Sequence, residues 1–440
     1  MLRTLNTSRA KAFSGISLDN GITGVIDIGT SKVSCFIIRN GLGSVDGPEM
    51  EVIGVGHQAA AGVGEGGLVE LAADSAIRAA VDKAERMAGE RLEAYHIAIC
   101  SRHIACRRVA VDLDLDGVGV AQEDIDACFK EGSRLAAASN MVPLHIWPSR
   151  FTIDGVGGVR DPRGIECENL SVEMVSLSAS ATAIKAVKAC LDRCNLKPAS
   201  FIAAPYASAL AVLHEEELDM GVLCLDMGAN LTGFSIFRDG ALVFAGAVPV
   251  GSDHITRDIA LGLGISRDAA ERLKTVHGTA WCVPGDEGRL IDLPQDAGAR
   301  DAHIPVTELA GIIGPRFEET LKLVFERIGK AGIDMRRIHR TVLTGGGSQL
   351  SGAAEMMEAL FKVRVRTGRA INHYGAPEAA SGSAFAVCSG MVGHLATQPD
   401  TRTAPKTPLM TGHLNGHEAE IPTLPGGIMG RAVNWLRVNF

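Results

Sequence analysis

The chain has 440 residues, a net charge of −8, 46 % hydrophobic residues and only 4 % aromatics. That length holds two lobes, and their cores must be aliphatic. With no long Lys/Arg run, the composition argues against nucleic acid as a main partner.

The first twenty residues carry Arg3, Arg9 and Lys11 without an apolar run. A disordered basic tail over 1–20 is expected there, not a secretory signal. No apolar stretch is long enough to span a bilayer, so any membrane contact is expected to be peripheral. Next comes the first half of an internal repeat. Residues 27–41 read DIGTSKVSCFIIRNG, and residues 226–240 read DMGANLTGFSIFRDG. Each follows an apolar run, opens on Asp-x-Gly, enters a β-prone segment and closes on Asn40-Gly41 or Asp239-Gly240, both hairpin-turn signals. Each unit reads as strand, tight turn, strand, turn, and two lobes on one plan would produce the pair.

The functional reading of the first turn is a phosphate cradle. Gly29 lets the backbone approach closely, the hydroxyls of Thr30 and Ser31 and the Lys32 ammonium hold oxygens, and Asp27 faces the accompanying metal through water. The plain alternative is a β-hairpin with a polar turn. The second copy adds weight to the cradle: Gly228, Ala229, Asn230 and Thr232 would clamp the same phosphates from the opposite side, with Asp226 mirroring Asp27.

Apolar spacing predicts a helix from Leu71 to Met87, and alternation predicts a half-exposed strand over 107–116. The ten cysteines show no C-x-x-C pair; Cys190 and Cys194 share one helix face, and free buried thiols in a reducing cytoplasm are expected. Ser266 reads as the N-cap of a helix to Lys274. On it Glu271 and Lys274 form either an exposed charge pair or a contact to ribose and base. A helical pattern over 306–330 is expected to break near Pro315. Residues 341–348 form an apolar strand ending in Gly345, Gly346 and Gly347, before a helix from about Ala353. These glycines allow flat contact with a nucleoside, or serve only as a flexible connection. Alternating strands and helices imply an α/β fold.

Five prolines between Thr397 and Pro425 mark a flexible linker over 396–425. Over 426–440 a helical winding puts Ile428, Met429, Ala432, Val433, Trp435, Leu436 and Phe440 on one face, flanked by Arg431 and Arg437. This suits a helix lying in a lipid interface. The alternative is a terminal helix docked on the protein's own core.

Together the segments resemble the actin, Hsp70 and sugar-kinase superfamily: phosphate loop one, connecting helix, phosphate loop two and adenosine loop fall at 27–32, 201–213, 226–232 and 343–349. The last range adds Gln349 to the candidate nucleotide contacts. The resemblance implies a duplicated, ribonuclease H-like, two-lobed ATPase fold that binds ATP with Mg in its cleft. Within the superfamily VIDIGTSKV, IAICSRHI, GVLCLDMGAN, KTVHG, VLTGGGSQLSG and the terminal NWLRVNF resemble the FtsA family of bacterial division proteins. That likeness implies an FtsA-type insertion at 103–178, in lobe one at 21–102 and 179–215. Lobe two would span 216–253 and 313–395, with an upper subdomain at 254–312. It also implies self-association into filaments, FtsZ as partner, later divisome membrane proteins as further partners, and tail binding to lipid on the cytoplasmic face of the membrane at the division site.

Two departures stand out. Ala229-Asn230 replaces further glycines, and Ala204-Pro205 stands where chaperone relatives carry Glu-Pro, so the carboxylate that orients water is absent. Glu215 to Glu217 are expected beyond the connecting helix, facing solvent. An enzyme of the same superfamily, a small-molecule kinase, is the alternative, but no segment identifies the carboxylate base it needs. A chaperone would need a peptide-binding domain, for which the linker and tail are expected to leave no room.

Overall fold

A computed structural model describes residues 21–40, 50–60, 72–293 and 303–396. The expected N-terminal tail, the linker beyond Ala396 and the terminal helix lie outside the described residues.

Strands β1 (Ile22–Ile28), β2 (Lys32–Asn40) and β3 (Met50–Ala59) form an antiparallel meander. Helix α1 (Ala72–Ala88) then leads to β4 (Ala94–Ile99), which runs parallel to β1. A separate four-stranded antiparallel sheet follows, built from β5 (Ala105–Gly119), β6 (Met141–Ile153), β7 (Val156–Val159) and β8 (Glu166–Ser180), with helix α2 (Gln122–Ala136) packed on it. Helix α3 (Ala181–Arg193) returns the chain to β9 (Lys197–Ala203), completing the order β3-β2-β1-β4-β9.

Helix α4 (Ala204–Val212) crosses to the second lobe, and the short α5 (Glu215–Met220) follows it. There β10 (Val222–Met227), β11 (Thr232–Arg238) and β12 (Ala241–Val248) repeat the meander. Helices α6 (Ser252–Leu263) and α7 (Arg267–His277), a β13 (Leu290–Asp292) and β14 (His303–Pro305) ribbon and the long α8 (Val306–Lys330) come next. Then β15 (Arg340–Thr344) lies parallel to β10, α9 (Ala353–Phe361) leads to β16 (Arg364–Thr367), and α10 (Ala386–Ala396) packs back on α4. The second sheet has the order β12-β11-β10-β15-β16, matching the first strand for strand.

The duplication follows from the residues. Val33 to Ile38 and Thr232 to Phe237 are buried without interruption, as strands covered on both faces require. Asp239 and Gly240 take φ of 53° and 70°, the left-handed pair of a two-residue hairpin. In β5, Val111 and Leu115 face inward while Asp114 and Asp116 face water. Lobe one packs around Ile26, Ile37, Ile77 and Ile97, and lobe two around Leu225, Ile236, Leu309, Phe317 and Leu321.

Two expectations need correction. Helix α8 does not break at Pro315 but runs through it for 25 residues. Ile313 and Phe317 on either side are fully buried. Burying two such side chains gains about 3–6 kcal/mol, enough to offset the ~3 kcal/mol cost of the proline. Glu217 does not face solvent either. It is 5 % exposed, with Arg340 at 3.0 Å, Arg366 at 2.5 Å and the His214 N–H at 3.0 Å satisfying its carboxylate. Glu215 and Glu216 are exposed, as expected.

Candidate functional site

The two Asp-x-Gly turns have the same geometry. The Gly29 N–H donates to the Lys32 carbonyl at 3.0 Å, and the Gly228 N–H to the Leu231 carbonyl at 3.0 Å. A Cβ at either glycine would sit under 3 Å from the same carbonyl, 2.7 Å and 2.8 Å away, so each turn admits only glycine. The turns also meet: the Asn230 N–H donates to the Thr30 hydroxyl at 3.3 Å.

Each turn follows a strand whose next-to-last residue is an acid. In register, Asp27 lies beside Ala98 of β4, and Asp226 beside Thr344 of β15. Burial pushes the Asp27 carboxyl up to about 6, partly relieved by Lys32. Burial, and then the charge of Asp27, pushes Asp226 up to about 7, against a hydrogen bond from Ser208 and the pull of Lys32. The two carboxyls therefore face one site, in which both keep partial exposure, and repel each other within it.

The glycine segment closes the site from a third side. Gly345 has φ of 81°, and a Cβ there would lie 2.4 Å from Asp226 Oδ1. Gly347 lies less tightly, with a Cβ there 3.0 Å from the Met227 carbonyl, while Gly346 faces open space. Gln349 donates to the Ser383 hydroxyl at 3.2 Å. Lys32 points the same way: its ammonium donates to the Ala384 carbonyl at 2.7 Å and sits 3.3 Å over the Phe385 ring. Burial lowers its pKa, with Asp27, Cys388 and Asp226 opposing.

The remaining candidates play different parts. Thr30 is half-buried and Ser31 exposed at the first turn. Thr232 is fully buried and its hydroxyl donates to the Val250 carbonyl at 2.8 Å, so the structure does not bring that hydroxyl to the turn. The Gly228 and Ala229 carbonyls accept from the Ser252 and Asp253 N–H groups at 3.0 and 2.8 Å, bracing the second turn on the start of α6. Lys274 bonds Glu271 at 2.6 Å, Thr256 at 2.8 Å and the Ser252 carbonyl at 3.2 Å, which links the pair to that brace. Ser208, Ser252 and Phe385 were missed from sequence. Ser208 lies in the connecting-helix segment 201–213, but no local signal marks any of the three; packing carries them to the turns.

The residues present fit a magnesium nucleotide. Asn230 Oδ1 is buried without a hydrogen-bond partner among the described residues. Two mutually repelling carboxyls suit a divalent cation, and Gly346 leaves room for a flat ligand. At the first residues of α4, Ala204 and Pro205 are buried and offer no carboxylate. The proposed lipid-facing residues Ile428 to Phe440 lie outside the described residues, and among those described no helix is long and apolar enough to cross a membrane.

Family models agree with this architecture. That of the cell division protein FtsA matches residues 223–390, and that of the SHS2 domain inserted in FTSA matches residues 101–178. The chain is 35 % identical over 381 residues to the cell division protein FtsA of Rhizobium meliloti (strain 1021), covering 84 % of this chain and 86 % of that one. With the same-named protein of Escherichia coli (strain K12) it shares 26 % over 428 residues, covering 94 % and 97 %. A solved PilM-PilN type IV pilus biogenesis complex has a chain like this one in fold. The TM-score is 0.57 at 18 % identity, over 86 % of this chain and 99 % of that one. The duplicated sheets are those of an actin-like α/β fold carrying an inserted SHS2 domain.

Proposed function

The chain belongs to the FtsA family of cell division proteins, and on that premise we propose that it is an ATP-binding adaptor tying the FtsZ ring to the cytoplasmic membrane. Bound to the membrane through residues 426–440, it assembles into filaments and recruits later division proteins. One observation carries the nucleotide part: the twin turns, each with its acid, meet across the lobes at Thr30 and Asn230. Phosphates held between them would bond Gly29, Thr30, Ser31 and Lys32 from one side and Gly228, Ala229 and Asn230 from the other. Asp27 and Asp226 would hold magnesium through its waters, and Gly345, Gly346, Gly347, Gln349, Glu271 and Lys274 would flank the nucleoside.

A kinase reading gains no support at this site: the carboxyls there, Asp27 and Asp226, are the ones assigned to magnesium, and α4, which opens on Ala204-Pro205, adds no further carboxylate. The nucleotide then serves mainly to close the cleft and favour assembly. A thermal-shift titration with Mg-ATP tests this. At a hundredfold excess over the dissociation constant, ligand adds about 2.7 kcal/mol. That gain should appear in the wild type and vanish in Asp226→Ala and Lys32→Ala. No shift at millimolar Mg-ATP overturns the nucleotide reading.

A further inference from the structure

In lobe one, helix α1 begins beside the end of α3, and three ligand-bearing side chains converge there. Asp74 lies in the first turn of α1, Cys190 in the last turn of α3, and Cys194 caps that helix. Their ligand atoms all lie within 4.8 Å of one another. The Cys190 thiol donates to Asp74 Oδ1 at 3.0 Å, and Cys194 Sγ lies 3.7 Å from the Asp74 backbone carbonyl.

We propose that Asp74, Cys190 and Cys194 form a binding site for a thiophilic divalent cation of the zinc type. The four-residue step from Cys190 to Cys194 is one helical turn, so both sulfurs face α1. A tetrahedral zinc at about 2.3 Å from sulfur and about 2.1 Å from oxygen needs ligand atoms some 3.5–3.8 Å apart, within the spread found here. The ion would take the place of the Cys190 proton that now bridges to Asp74, and both thiol protons would leave to solvent. Two thiolates and a carboxylate offset a divalent cation and the Arg193 guanidinium, and Arg78 beside Cys194 and Asp74 adds a further positive charge that favours the thiolate form.

Arg193 donates to Asp74 Oδ2 at 2.7 Å and to Oδ1 at 2.9 Å, orienting the carboxylate as outer partners of metal ligands do. A carboxylate oxygen has more than one lone pair, so holding Arg193 does not close Asp74 to a metal. Two sulfurs select against magnesium, which keeps this site chemically distinct from Asp27 and Asp226. Cys194 is 8 % exposed and the Arg193 and Asp74 side chains keep 34 % and 13 % exposure, so the cluster is not sealed from solvent, and three protein ligands would leave the fourth tetrahedral position to water. Occupied, the site would pin the start of α1 to the end of α3.

Cobalt(II) is the probe, added to reduced, metal-free, full-length protein. One equivalent should produce a thiolate-to-cobalt charge-transfer band in the near ultraviolet, displaced by zinc. Cobalt at the two cleft aspartates has only oxygen ligands and gives no such band. Cys194→Ser keeps the Asp74–Arg193 pair, and with it the fold, yet should abolish the band; Cys190→Ser should do the same. Asp74→Asn should weaken binding by about tenfold or more. Cys167→Ser, in the inserted sheet, should change nothing. No charge-transfer band in the wild type, or one of equal intensity in the Cys190→Ser/Cys194→Ser double variant, overturns the proposal.

Discussion

The Asn230 N–H donates to the Thr30 hydroxyl at 3.3 Å, joining turns that lie 200 residues apart in sequence. The bond spans the place where phosphate would enter, so the same two groups hold the lobes together or hold a ligand. Thr30→Val keeps the side-chain shape and removes the acceptor. One such bond contributes about 1 kcal/mol, so urea unfolding should change little, while Mg-ATP affinity measured by calorimetry should fall about fivefold or more. Unchanged affinity would make the contact incidental to binding.

Asp27 and Asp226 titrate near 6 and 7, raised from 3.8 mainly by burial. A carboxyl raised on folding keeps its proton longer in the native chain. Its contribution to stability is complete below about pH 4 and lost as pH rises through 6 to 7. Each pH unit separating the folded from the unfolded carboxyl is worth about 1.4 kcal/mol. Asp226→Asn removes one of these losses. Without nucleotide it should be more stable than wild type at pH 8, with the gap closing toward pH 4, although it binds Mg-ATP poorly. Urea midpoints at both pH values test this; a gap that does not depend on pH would contradict it.

Glu217 behaves in the opposite sense. Burial alone would raise its carboxyl, but hydrogen bonds from Arg366, the His214 N–H and Arg340 and the Arg366 charge hold it at about 2. Its stabilisation is present above about pH 4.5 and lost as pH falls through 2. Glu217→Ala leaves two guanidiniums unpaired and should cost about 3 kcal/mol at neutral pH. The deficit should shrink on acidification. A deficit equal at pH 7 and pH 2.5 would mean the pair contributes only packing.

Turnover should be slow. Ala204 and Pro205 offer no group to orient water. Glu217 pairs with Arg340, opposite Val222 at the far end of β10 from Asp226, and so stands away from the turns. Phosphate release by purified protein, with and without lipid, should fall far below the ~1–100 per second of kinases. A rate in that range, abolished by Asp226→Ala, would restore the enzyme reading.

The duplicated turn was legible in sequence because Asp-x-Gly geometry is local: Gly29 and Gly228 are fixed by carbonyls three residues away. The matched sheets followed from that repeat. What stayed hidden depends on distant partners. Ser208 reaches Asp226 only because α4 crosses between the lobes, and Glu217 is buried only because Arg340 and Arg366 arrive over 100 residues later. Pro315 misled for the same reason, since the burial of Ile313 and Phe317 is tertiary. The thiol spacing of Cys190 and Cys194 was plain, but Asp74 is 116 residues away from Cys190.

Co-sedimentation with anionic liposomes, with and without Mg-ATP, tests the central claim most directly. Two tail arginines at about 1 kcal/mol each bind lipid weakly, so stable attachment needs several linked copies. The full chain should pellet with liposomes, and more so with Mg-ATP. Deleting 426–440, or changing Leu436→Glu, should abolish pelleting while leaving the Mg-ATP thermal shift intact. Equal pelleting of the deleted and full-length chains, or pelleting indifferent to Mg-ATP, would contradict a nucleotide-controlled membrane adaptor.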